Sequence, residues 1–94
     1  MSRLPPIELL QSTHTFPTAY VFKVVGKTEN GFLARVLAKA RQVREEGSDP
    51  KFSVKQAPNG KHISVTLTLE VDSASEVLFL YKAFSDLEGL VLLM

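Results

Sequence analysis

Three features of this 94-residue sequence predict an α+β sandwich, with two helices on one face of a four-stranded antiparallel sheet. Two-residue and 3.6-residue hydrophobic periods succeed one another in the order strand, helix, strand, strand, helix, strand. An Asn59-Gly60 pair supplies the turn between the middle strands. The length holds one packed core and not two.

Residues 1–15 read as an N-terminal arm ahead of a single domain over residues 16–94. Pro5-Pro6 prevents an early helix, and Ile7, Leu9 and Leu10 are the arm's apolar anchors. They are expected to form one short turn that docks on the domain. Residues 18–25 read as the first strand, rich in β-branched and aromatic residues. Tyr20, Phe22 and Val24 share one face, and Val21, Lys23 and Val25 share the other. Lys23 marks its own face as the open one.

Gly26 is expected to end that strand. Thr28 or Asn30 then caps a helix running to about Glu46, with Glu29 near its positive end. Phe32, Val36, Ala40 and Val43, flanked by Leu33 and Leu37, form its core-facing stripe. Gly47 and Asp49-Pro50 stop it. The second strand, residues 51–57, points Phe52 and Val54 inward. The third, residues 62–71, alternates Ile63, Val65, Leu67, Leu69 and Val71 with His62, Ser64, Thr66, Thr68 and Glu70. Asp72 or Ser73 caps a second helix to about Asp86, whose inner stripe is Val77, Leu80, Tyr81, Phe84 and Leu87. Gly89 breaks it, and Leu90 to Met94 form a short last strand. Two right-handed crossovers turn this order into a ferredoxin-like βαββαβ sandwich with strand order 4-1-3-2.

Such a fold leaves one sheet face without helices. Read by alternation, that face carries Val91 and Leu93, then Val21, Lys23 and Val25, then Ser64, Thr66 and Thr68, then Ser53 and Lys55. An apolar patch of this kind is usually covered. The arm and a second copy of the chain are both expected as cover, the arm for part of it. Phe79 falls on the far side of the second helix and is a further anchor for a partner.

Most chemistry is excluded. With no cysteine, thiol nucleophiles, disulfides and zinc-thiolate sites are ruled out. His14 and His62 have no metal-ligand spacing, so no metal is expected. There is no GxSxG, Walker A or GxGxxG motif, and the carboxylates are dispersed, Glu45-Glu46 reading as solvated. No catalytic residue and no cofactor is expected. There is no apolar run of about 18 residues and no apolar leader, so a cytoplasmic protein without a membrane partner is expected.

Two binding features remain. The segment Gly26, Lys27, Asn30, Gly31 joins a strand to a helix N-terminus, where amides and the dipole favour a small anionic effector. Charge is also uneven. Residues 1–61 hold ten basic and five acidic side chains, a net of +5, and residues 62–94 hold one and five, a net of −4. Arg35, Lys39, Arg41 and Arg44 stud the first helix, an alternative route to nucleic acid. The open face lacks the outward aromatics on which RNA bases stack, so nucleic acid is disfavoured there.

The residues also resemble a known family. Phe16-Pro17-Thr18, Lys23-Val24-Val25-Gly26-Lys27 and Gly31-Phe32 look like the opening of the YbeD-like family of small bacterial proteins. Val54-Lys55, Gly60-Lys61, Ser64-Val65-Thr66 and Leu80-Tyr81-Lys82-Ala83 continue it to the last strand. The resemblance implies a ferredoxin-like sandwich and no catalytic residues. Its shape is similar to ACT-type regulatory domains, a likeness of fold and not of ligand. Val91 stands where the family commonly has a basic residue, and Leu78-Phe79 is unusually apolar, which favours a protein contact. The expected function is a non-enzymatic regulatory or interaction module. It would act by self-association as a homodimer, or by binding a partner enzyme or other protein, through Val21, Val25, Val91, Leu93 and Phe79.

Overall fold

A computed structural model describes residues 5–44 and 50–94 of the chain. The order is α1 (Ile7–Thr13), β1 (Thr18–Lys27), α2 (Phe32–Arg44), β2 (Lys51–Gln56), β3 (His62–Val71), α3 (Ala74–Ser85) and β4 (Leu90–Leu93). The four strands form one antiparallel sheet in the order β2-β3-β1-β4, as expected. The expected stop at Gly47 and Asp49, the Glu45-Glu46 pair and the side chains of Val43 and Arg44 lie outside the described residues.

The alternation in β1 and β3 sets the core. Phe22, Val24, Val65, Leu67, Leu69 and Val71 are buried on the helix side, against Phe32, Val36 and Ala40 of α2 and Val77, Leu80, Tyr81, Phe84 and Leu87 of and after α3. Ser73 caps α3, its hydroxyl accepting from the Glu76 amide at 3.2 Å, while the Glu76 carboxylate accepts from the Asp72 amide at 2.9 Å. This reciprocal arrangement satisfies amides that the helix cannot. In the β2–β3 turn Gly60 has φ 74°, and Asn59 Oδ1 accepts from the Lys61 amide at 2.9 Å.

Four expectations are corrected. The described residues of the arm, 5–15, do not cover the open sheet face. Its residues form α1, which buries Leu10 in the core beside α3, because the helix layer offers the apolar groove that a single buried leucine needs. Gly26 does not end β1. The strand runs on to Lys27, whose amide donates to Gly89 O at 2.9 Å. Neither Thr28 nor Asn30 is the N-cap of α2. The first helical bond runs from the Arg35 amide to Gly31 O, and the turn before it bends through Asn30 at φ 55° and Gly31 at φ 65°. Phe52 and Val54 do lie on the helix side, paired with Leu67 and Val65, but remain 43% and 41% exposed because β2 is an edge strand.

Candidate functional site

The open face is built by rows across the sheet. Lys51, Thr68 and Val21 make one row, and Ser53, Thr66 and Lys23 the next. Lys55, Ser64, Val25 and Leu92 make a third. β3 supplies a stripe of hydroxyls, and β2 an outer margin of lysines. The β1 and β4 end is apolar, with Val21, Leu92 and Met94 each about half exposed.

Leu93 is not part of this surface. It pairs with Val24 and is buried at 5% exposure. The register of β4 shifts between Val25 and Gly26. Leu92 therefore faces outward beside Val25, and Leu90 falls opposite Gly26. The residue between them, Val91, has no partner on β1 and is also exposed. Such a one-residue bulge reverses which side chains face the core beyond it. Met94 continues the outward set, bonded to Lys23 through both main-chain groups at 2.7 and 2.9 Å. Sequence reading missed Leu92 and Met94, because a run of Leu-Val-Leu-Leu has no alternation to read. Phe79 is 59% exposed on α3, on the opposite layer from this face.

The structure brings the expected effector residues only partly together. Gly26 is buried on the core face, where a Cβ would lie 2.2 Å from the Phe32 ring. It serves packing. The amides of Lys27, Thr28 and Glu29 donate to Gly89, Lys61 and Lys27 carbonyls, at 2.9, 3.0 and 2.8 Å. They are therefore spent on the fold. Asn30 and Gly31 bend the chain into α2, and the carbonyls of Glu29 and Asn30 accept from Arg35. What remains is a cleft of about 400 Å³ between the end of β1 and the β2–β3 turn, lined by Lys27, Thr28, Glu29, Gly60, Lys61 and His62. A smaller, apolar hollow of about 230 Å³ adjoins it, where Phe32, Leu33 and Ile63 come together.

Arg35 has a local occupation. Its guanidinium donates to the carbonyls of Asn30 at 2.9 Å, Glu88 at 2.7 Å and Glu29 at 3.3 Å, and its carbon lies 5.5 Å from the centre of the Phe32 ring. On the other end of the core, rings run inward from His14 through Tyr20 to Phe22, with centroid separations of 5.2 and 4.9 Å. Tyr81 meets Phe22 edge-on, and its hydroxyl lies 3.2 Å from that of Tyr20. Burial pushes the Tyr81 phenol well above the usual tyrosine range, with the Tyr20 hydrogen bond adding to the shift. Among the described residues, no three His, Asp or Glu side chains gather as a metal site, and no helix is long and apolar enough to cross a membrane.

Comparison with known proteins agrees with this architecture. Residues 11–94 match the family described as Protein of unknown function (DUF493), and the chain belongs to that family. It is similar to the UPF0250 protein NE1487 of Nitrosomonas europaea, 28% identical over 81% of this chain and 87% of that one. A UPF0250 protein of Shewanella sp. strain ANA-3 is 34% identical over 79% of this chain and 82% of its own. The solution structure of protein HP0495 from H. pylori superposes with a TM-score of 0.62 at 18% identity, covering 99% of this chain and 98% of that one, which shows a shared fold.

Proposed function

We propose that this member of the DUF493 family is a small cytoplasmic interaction module of regulatory character, which performs no chemistry of its own. One observation carries the reading. Val21, Leu92 and Met94 stand about half exposed on a sheet face that no described element covers, with exposed Val91 at the bulge beside them. Apolar side chains grouped this way mark a contact surface, whereas single exposed ones do not. A second copy of the chain is the occupant proposed first, since two-fold pairing is the commonest way a small domain covers such a face. Sedimentation equilibrium over a range of concentrations tests it. A dimer that Leu92→Arg converts to monomer supports the reading. A monomer at every concentration removes self-association and leaves a heterologous protein partner.

A second reading is favoured by the cleft beside β1. Lys27, Lys61 and His62 line it together with a single carboxylate, Glu29, and the two lysines suit it to a small anionic effector. Thermal-shift measurements with inorganic phosphate and simple carboxylates test this site. Stabilisation that grows with ligand concentration and disappears in Lys27→Ala supports it. An unchanged melting temperature across the series counts against it.

A further inference from the structure

The outer edge of β2 is the most unusual surface in the fold. All six residues of Lys51–Gln56 are exposed, on a strand that among the described residues is paired along one side only. Its side chains divide by chemistry. Lys51, Ser53 and Lys55 lie on the open face, and Phe52 and Val54 on the helix side, 43% and 41% exposed. Edge strands are ordinarily blunted by charge or covered. Here the lysines guard one face, and the other shows an aromatic and a β-branched residue.

The register also tells which main-chain groups are free. The Ala57 amide donates to His62 O at 2.8 Å, closing the hairpin. Hydrogen-bonded positions alternate along an antiparallel pair, so Lys55, Ser53 and Lys51 turn their amides and carbonyls toward β3. Phe52, Val54 and Gln56 turn theirs outward, where no described strand meets them.

We propose that this edge receives an extended, acidic peptide segment of a partner protein as a fifth strand. Main-chain bonds to Phe52, Val54 and Gln56 would hold it. Alternate side chains would give specificity: Asp or Glu opposite Lys51 and Lys55, and apolar residues beside Phe52 and Val54. Charge favours this occupant over a second copy. A two-fold axis through Ser53 pairs Phe52 with Val54 but sets Lys51 against Lys55 twice, and one through Val54 leaves Phe52 against the polar Gln56. This edge lies across the sheet from the β1 and β4 patch, so the inference is independent of the self-association proposed above.

The test is amide NMR of the full chain with a synthetic Glu-Val-Glu-Ile-Glu-Val peptide, blocked at both ends. Saturable shifts confined to β2 are expected, with exchange of the Phe52, Val54 and Gln56 amides slowed at least about tenfold. Binding should weaken with salt, and should fail for the Lys-for-Glu peptide and in Val54→Pro, which removes one outward amide at an edge position that tolerates proline. Should Val54→Pro unfold, peptides N-methylated at alternate residues replace it: methylation on the bonding side must abolish binding, and on the other side must not. Equal binding of the lysine peptide, shifts centred on β1 and β4, or no saturation at millimolar peptide would overturn the proposal. So would concentration-dependent protection of the three amides without peptide, which would make a second copy the occupant.

Discussion

Gly26 packs against the Phe32 ring, so close that a Cβ there would sit 2.2 to 2.6 Å from three ring carbons. A strand residue and the first residue of the following helix therefore share one space. The absence of a side chain at Gly26 lets α2 begin against the sheet. Phe32, 2% exposed, cannot move aside without leaving the core. Gly26→Ala is expected to destabilise the protein by about 1–3 kcal/mol, the usual cost of overpacking. Urea unfolding measures it. Phe32→Leu in the same chain should recover part of the loss, because neighbours that compete for one volume are not additive.

The β4 bulge makes adjacent leucines energetically unlike. Leu93→Ala removes a buried side chain and is expected to cost about 2–5 kcal/mol. Leu92→Ala, on the exposed side, should change monomer stability by no more than about 0.5 kcal/mol. Similar losses at both positions would refute the register.

Arg35 joins the start of α2 to the turn before β4, through the carbonyls of Asn30 and Glu88. Arg35→Met is expected to lower stability by about 1–2 kcal/mol. Arg35→Lys should recover little of this, since a single ammonium cannot span the carbonyls that a planar fork reaches. Chemical denaturation of the two variants, compared at one pH, decides it.

Tyr81 gives the fold an alkaline limit. Its phenol titrates higher in the folded protein than in the unfolded chain, so the neutral form is the one the core holds. Its contribution is complete below the unfolded value of about 10 and is lost as pH rises from there toward the folded value. Stability measured from pH 8 upward should therefore fall above about pH 10, and fall less steeply in Tyr81→Phe. That variant should also lose about 1 kcal/mol near neutrality, from the missing bond to Tyr20.

The layered fold was legible in the sequence because its long elements repeat one simple period. β3 alternates through ten residues, α3 repeats Val77, Leu80, Tyr81, Phe84 at helical spacing, and Asn59-Gly60 marks the turn between two strands. Burial of one face is enough to orient such elements, and each position is settled by its neighbours in the chain. The candidate surfaces were less legible. Leu90 to Leu93 are all apolar, so nothing local says which of them face the core, and pairing with Val24 and Val25 decides it. Gly26 reads alike as a strand end or a ligand loop until the Phe32 ring is seen above it. Leu10 could have covered either layer, and the groove beside α3 took it. Periodicity is a property of residues near one another in sequence, and it determined the elements, their order and the inward faces of β1, β3 and α3. Register at a short edge strand, the close approach of a glycine to a distant ring and the docking of an arm depend on shape fitted across the chain, and those the tertiary structure alone decided.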